Sequence, residues 1–171
     1  MTEIISAKDA VEIAPESLTS ADATELLTAL NAELSTLYPE PGANHFRLDP
    51  DEVAPGAGVF LVARSRGAPV GCGAVRRLRD PAQMRELGAH VGEIKRMYVA
   101  PSTRGRGVGR ALLDRIEAEA TAIGLTRLVL ETGIRQTEAL ALYRRAGFTE
   151  IPPYGEYVLS SGTSVCFTKE L

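Results

Sequence analysis

A glycine-rich segment carries the residues whose types and spacing say most about chemistry. Residues 104–113 read Arg-Gly-Arg-Gly-Val-Gly-Arg-Ala-Leu-Leu, so three glycines alternate with other residues just before a helix-forming run. Glycine lets the backbone turn tightly and approach a ligand closely, because it has no Cβ. The first amides of the following helix lack intrahelical partners and carry partial positive charge. This segment therefore predicts a cradle for a phosphate or a diphosphate.

Two common phosphate-binding templates do not fit this segment. A Walker loop needs Gly-Lys-Ser/Thr, but Gly109 is followed by Arg110 and Ala111. A dinucleotide fingerprint that begins at Gly107 has Leu112 in place of its third glycine. The spacing thus disfavours nucleotide-triphosphate hydrolysis and dinucleotide binding.

The spacing that does fit is Arg104-x-x-Gly107-x-Gly109, preceded by Val-Ala-Pro at 99–101. It resembles the coenzyme A loop of the GNAT superfamily of N-acetyltransferases. Glu-Ile-Lys-Arg-Met-Tyr-Val at 93–99 is similar to the family's fourth strand, and Gln-x-x-Ala-x-x-Leu-Tyr-x-x-x-Gly-Phe at 136–148 to its final core motif. The blocks occur in the family's order. The resemblance implies an α/β fold with a mixed, centrally splayed β-sheet flanked by helices, the acyl-CoA N-acyltransferase fold.

The same resemblance implies acetyl-CoA as the acyl-donor cosubstrate, with no metal. Backbone amides of residues 104–110 would hold the diphosphate, and their arginine side chains would add charge-assisted contacts. The backbone of residues 97–99 would pair with the pantetheine arm like an added strand. Gln136 stands where asparagine is frequent in the family, and its amide would contact the cofactor. The implied cofactor-binding residues are Met97, Tyr98, Val99, Arg104, Gly105, Arg106, Gly107, Val108, Gly109, Arg110 and Gln136.

Tyr143 matches the family's tyrosine near the thioester sulfur, which implies a general acid. A phenol with a pKa of about 10 can donate a proton to a departing thiolate at neutral pH. The alternative is a half-buried helix tyrosine that packs on Phe148.

Glu93 matches the general-base glutamate of the histone-acetyltransferase branch of the family. An acceptor amine is protonated at neutral pH, so a base or a water chain must remove a proton before the nitrogen attacks. The alternative is a glutamate on the surface of a strand, in an exposed ion pair with Lys95 or an arginine. Glu131, on the next predicted strand, is a rival base.

The resemblance implies an enzyme that transfers acetyl from acetyl-CoA to an amine by direct attack within a ternary complex. The alternative is a non-catalytic acyl-CoA-binding sensor or partner domain. The acceptor is open between a small molecule and a peptide. The polar-aromatic segments 38–50 and 152–164 are candidates for recognising it, and Arg47 or Arg96 could bind a carboxylate on it.

Bulk properties fit one soluble domain over residues 1–171. A net charge of −3 argues against nucleic-acid partners, and no apolar run is long enough to favour a membrane span. Cys72 and Cys166 are isolated, which predicts reduced core thiols in a cytoplasmic protein. His45 and His90 are too few for a histidine metal site. Family habit allows a homodimer.

Hydrophobic periodicity and breaker residues predict strands first, then β-α-β-α-β, and hence a mixed sheet with its parallel part in the C-terminal half. Ser20 is predicted to cap the first helix. The predicted strands are 9–14, 59–63, 70–78, 91–99, 128–130, 148–151 and 165–169, and the predicted helices follow Ser20 and cover 107–123 and 135–146.

Overall fold

The computed structural model describes residues 10–41 and 47–171, and these residues form a seven-stranded sheet with α-helices on both faces. The strands are β1 (Val11–Pro15), β2 (Gly58–Ser65), β3 (Ala68–Arg77), β4 (Val91–Val99), β5 (Arg127–Gly133), β6 (Thr149–Ile151) and β7 (Ser164–Glu170). The helices are α1 (Ala21–Leu37), α2 (Pro81–Leu87), α3 (Val108–Ala122) and α4 (Thr137–Arg145), with short 3₁₀ helices at Pro50–Val53, Pro101–Thr103 and Gly155–Ser160. His45 lies outside the described residues.

The sheet is mixed, and its strand order is β1-β2-β3-β4-β5-β7-β6. β4 and β5 are parallel neighbours, whereas the other neighbouring pairs are antiparallel. β4 and β5 pair only from Val91–Arg127 to Ile94–Leu130, and beyond these residues the two strands separate. The predicted mixed sheet with a central opening is therefore confirmed.

A β-bulge in β4 lies at the start of this opening. Cys72 pairs with Tyr98, but Ala74 pairs with Lys95, so β4 holds one more residue than β3 over this stretch. Arg96 absorbs the irregularity with a φ of 59°, which is uncommon for a residue other than glycine. The bulge bends β4 and so contributes to its departure from β5.

Side chains alternate between two layers across the sheet. One face carries α3 and α4, whose apolar residues Leu112, Ile116 and Tyr143 pack on Ile94 and Leu130. The opposite face carries α1 over β2–β4. On that same face, the Gly155–Ser160 helix and α2 cover β4, β5 and β7 around Val91 and Val129.

Local signals in the sequence explain most element boundaries. The Ser20 hydroxyl accepts a hydrogen bond from the Ala23 amide (3.1 Å), so the predicted cap of α1 is confirmed.

The first strand is displaced from 9–14 to Val11–Pro15. Segment 152–164, predicted as a polar-aromatic loop, contains the Gly155–Ser160 helix. Tyr157 in this helix and Tyr154 just before it are buried in the core. No helix in the described part of the chain is long and apolar enough to cross a membrane.

Candidate active site

The separation of β4 and β5 leaves a cleft of about 1230 Å³ through the middle of the sheet. The inner edges of the two strands line it, together with one side of α1, the turn before α3 and the first turns of α4. Because these edges have no neighbouring strand, their backbone groups lack the partners of a sheet ladder and can pair with a ligand that lies between them.

The glycine-rich turn stands at one end of the cleft. Gly105 and Gly107 adopt left-handed φ values of 76° and 83°, and a Cβ at either position would point into open space. The first hydrogen bond of α3 runs from the Ala111 amide to the Gly107 carbonyl (3.0 Å). The amides of residues 108–110 precede that bond, so they lie at the positive end of the helix dipole. Gly107, Val108, Gly109 and Arg110 line the cleft, as the cradle hypothesis requires.

The arginine side chains of this turn are less available than their sequence positions suggest. The Arg104 guanidinium donates to both carboxylate oxygens of Glu33 in α1 (2.8 Å each) and to the Val99 carbonyl (2.8 Å). Arg110 pairs with Asp114 (2.9 Å). Arg106 is exposed and is not among the residues that line the cleft. The backbone, rather than these side chains, thus forms the wall of the cradle.

Residues 97–99 of β4 line the cleft beside this turn. Tyr98 is buried against α1, and Met97 and Val99 pack toward α3. Gln136 also lines the cleft, but its side-chain oxygen accepts hydrogen bonds from the Gly133 amide (2.9 Å) and the Thr132 hydroxyl (3.3 Å). Gln136 therefore orders the turn between β5 and α4.

Tyr143 lies in α4 and lines the cleft from the α3 face of the sheet. Its ring packs edge-on against Phe148, with centroids 5.8 Å apart, and obliquely on Phe167 at 6.0 Å. Burial raises the pKa of Tyr143 above its usual value, and the negative charge of Glu131 adds to this effect. Among the described residues, every fully buried polar side-chain atom has a hydrogen-bond partner. The Tyr143 hydroxyl has no such partner among them, so it is not fully buried, and it is reached from the cleft that Tyr143 lines.

Glu93 occupies a different environment from the one expected of a general base. Its side chain is 1% exposed and is not among those lining the cleft. One carboxylate oxygen accepts two hydrogen bonds from Arg76 (2.7 and 3.0 Å), and the other accepts one from the Tyr154 hydroxyl (2.5 Å). Arg76 also binds Glu52, and the Lys95 nitrogen lies 3.8 Å from Glu93. Glu93 thus has the partners of a structural carboxylate.

Glu131 takes the position at the cleft that Glu93 does not. It is the first residue of β5 beyond the last pair with β4, it is partly exposed, and it lines the cleft. Its charge raises the pKa values of Tyr38 and Tyr143, for both of which burial is the larger cause. These two tyrosines line the cleft as well, so the Glu131 carboxylate faces the same space.

Two further residues line this space: Lys95, which the sequence suggested only as a partner of Glu93, and Tyr157, from the predicted recognition segment 152–164. Lys95 follows the last paired residue of β4, and its nitrogen lies 2.9 Å from the Tyr157 hydroxyl. Tyr157 is the buried residue of the Gly155–Ser160 helix, in which Val158 and Leu159 are exposed. This short aromatic segment gives no periodic signal that would predict the burial of Tyr157. The described residues contain no group of three or more histidine, cysteine, aspartate or glutamate side chains arranged to hold a metal ion.

A mixed sheet that opens between two parallel strands, with a glycine-rich helix N-terminus at the opening, defines the acyl-CoA N-acyltransferase class of fold. A solved structure from Klebsiella pneumoniae, provisionally assigned to that class, matches with a TM-score of 0.71 and 33% identity over 94% of this chain and 97% of its own. An acetyltransferase of the GNAT family from Elizabethkingia anophelis, solved with acetyl-CoA bound, matches with a TM-score of 0.64 and 20% identity, covering 96% of this chain and 100% of its own.

Sequence comparison identifies the family. The model of the Acetyltransferase (GNAT) family matches residues 23–148. The IAA acetyltransferase of Azospirillum brasilense is 45% identical over 147 residues, which cover 86% of this chain and 90% of that protein. The chain belongs to the GNAT family of acetyltransferases and is an acyltransferase, so the expected family and enzyme class are confirmed. A non-catalytic module is correspondingly disfavoured.

Proposed function

We propose that this protein transfers the acetyl group of acetyl-CoA to an amine nitrogen by direct attack within a ternary complex. One observation carries the proposal. A single cleft runs from the open N-terminus of α3 past the Tyr143 hydroxyl to Glu131 on the facing strand. A phosphate cradle, a proton donor and a carboxylate base thus share one continuous space.

The residues on the donor side fit a coenzyme A thioester. Its diphosphate suits the amides at the start of α3, and its pantetheine amides suit the unpaired inner edge of β4 at residues 97–99. The acetyl-CoA bound to the Elizabethkingia relative supports the same cosubstrate here. Glutamine at 136 keeps its oxygen on the β5–α4 turn, so we assign it a supporting role in shaping the cleft.

On the acceptor side we assign the base to Glu131. The protonated amine transfers a proton to this carboxylate, directly or through one water, and its nitrogen then bonds to the thioester carbon. As the carbon–sulfur bond breaks, the Tyr143 hydroxyl gives its proton to the departing thiolate. The raised pKa of Tyr143 keeps that proton in place at neutral pH. The nitrogen then gives up its second proton, directly or through water, as the Tyr143 oxygen regains one. Glu131 releases its proton to solvent, so the reaction yields the amide, coenzyme A and one proton overall.

The cysteines support direct transfer over an acetyl-cysteine intermediate. Both thiols are buried and free. Burial raises the pKa of Cys72 to about 12 and that of Cys166 to about 11, so neither supplies a thiolate nucleophile at neutral pH.

A thiol-release assay with a panel of primary amines tests the proposal. We expect coenzyme A to be released only when an amine is present, with acetylated amine in equal amount by mass spectrometry. Intact-protein mass after incubation with acetyl-CoA alone is expected to show no added acetyl group. A stoichiometric acetyl-enzyme would contradict direct attack, and binding without turnover of any amine would contradict the proposed activity.

Gly107→Ala is expected to weaken acetyl-CoA binding about 10- to 100-fold, the cost of losing hydrogen bonds to a charged group. The added methyl group and the altered φ would hold the diphosphate away from the amides of α3. Gly56→Ala is a matched control. The φ values of Gly56 and Gly107 are 80° and 83°, and a Cβ at either position meets no other atom, but Gly56 does not line the cleft. Isothermal titration calorimetry should show reduced affinity only for Gly107→Ala; equal loss in both variants would contradict the cradle.

A further inference from the structure

The two residues just past the last β4–β5 pair carry opposite charges. Ile94 pairs with Leu130, so Lys95 and Glu131 occupy equivalent positions where the strands separate. Strand alternation places both on the face opposite α3, the face that carries the Gly155–Ser160 helix. A cation on one strand and an anion on the other therefore stand on the two sides of the opening.

Lys95 forms no ion pair with Glu131. Among the described residues, the carboxylate within salt-bridge distance of its nitrogen is that of Glu93, at 3.8 Å. The oxygen concerned already accepts two N–H groups of Arg76 at 2.7 and 3.0 Å. The close partner of Lys95 is the neutral Tyr157 hydroxyl at 2.9 Å. Since an ammonium has three donors, Lys95 keeps donors for a further acceptor atom.

The Lys95 side chain is only 9% exposed, yet it lines the cleft. An ammonium so poorly hydrated binds an anion more strongly than a surface lysine does, because the local dielectric is low. A carboxylate matches it by charge and by hydrogen bonding. Across the opening, Glu131 suits the ammonium form of the acceptor. The side of α1 that faces the cleft adds apolar surface through Leu30, Leu34 and Leu37.

We infer that the acceptor is a small amine that also bears a carboxylate, such as an apolar amino acid, with Lys95 binding the carboxylate and Glu131 the amine. This inference rests on the proposed function and names its substrate class. Lys95 thereby becomes a specificity-determining residue. The Tyr157 hydroxyl, 2.9 Å from the Lys95 nitrogen, positions it.

Leucine and isoamylamine test the inference, because they differ by the carboxylate alone. We expect wild-type kcat/KM to favour leucine about 10- to 100-fold, as for a hydrogen bond between charged groups. Lys95→Met should abolish this preference, mainly by raising KM for leucine. The fold should tolerate the change, since Glu93 keeps Arg76 and Tyr154. Lys169→Met is the control, because Lys169 pairs with Glu117 away from the cleft, and it should keep the preference.

The outcomes separate this inference from the proposed function. Turnover of both acceptors at equal kcat/KM overturns the inference alone, as does a preference for leucine that survives Lys95→Met. Failure of every amine to react, with acetyl-CoA bound, overturns the proposed activity and the inference with it. Calorimetric binding of acetyl-CoA checks that Lys95→Met is folded. If that variant does not fold, the ratio of wild-type kcat/KM for leucine to that for isoamylamine still tests the inference.

Discussion

Tyr143→Phe is expected to lower kcat for acetyl transfer about 100-fold, the lower end of the usual contribution of a general acid. The substitution removes one oxygen and leaves the ring to pack on Phe148 and Phe167. Acetyl-CoA affinity and the urea midpoint should therefore stay near the wild-type values. Steady-state thiol release, calorimetry and urea unfolding measure the three quantities.

The pH dependence of the wild type gives a second check on the same residue. A donor must be protonated to act, and the pKa of Tyr143 is raised above its ordinary value of 10.0. Deprotonation of Tyr143 should therefore cause no fall in kcat below about pH 10. A descending limb near neutral pH that disappears in Tyr143→Phe would contradict the assignment, and so would wild-type kcat in that variant.

Glu93→Gln is expected to destabilise the fold by about 3 kcal/mol, because removing one partner of a buried ion pair leaves the other charge unpaired. The glutamine leaves Arg76 without its main counter-charge and changes the acceptor of the Tyr154 hydroxyl. The free energy of unfolding, from urea denaturation, measures the effect. Glu52→Gln is the matched control, since Glu52 binds the same guanidinium but is 31% exposed, and it should cost less than about 1 kcal/mol.

The same substitution distinguishes the two candidate bases. If Glu93 is structural, the folded fraction of Glu93→Gln should retain kcat within about tenfold, whereas Glu131→Gln should lose about 100-fold in kcat with little change in stability. The opposite pattern, a stable Glu93→Gln enzyme with a 100-fold lower kcat, would return the role of base to Glu93.

The sequence predicted the order of elements and the ends of most helices, because these depend on local chemistry. The Ser20 cap, the glycines that precede α3 and the apolar stripe of that helix are each encoded within a few neighbouring residues. The mixed sheet followed from the order of strands and helices. The family blocks at 93–99, 104–109 and 136–148 added the opening between β4 and β5.

The site was harder to predict, because it depends on partners that are distant in sequence. The environment of Glu93 is set by Arg76 on β3 and by Tyr154, just before a 3₁₀ helix, 17 and 61 residues away. The alternation of polar and apolar residues does not predict that the side chains of Tyr154 and Tyr157 are buried in the core. Arg104 likewise pairs with Glu33 in α1, 71 residues away, a partner that its neighbours in the sequence do not reveal.

The opening of the sheet depends in part on the bulge at Arg96, which is a single extra residue in β4. Without that single residue, the pairing of β3 with β4 would run in unbroken register, with Gly73 opposite Met97. Each remaining side chain of β4 would keep its present layer. Without the bend, β4 would run closer to β5 beyond Ile94 and Leu130, and the cleft between the two strands would narrow. Deletion of Arg96 is therefore expected to narrow the cleft while the remaining side chains of β4 keep their layers.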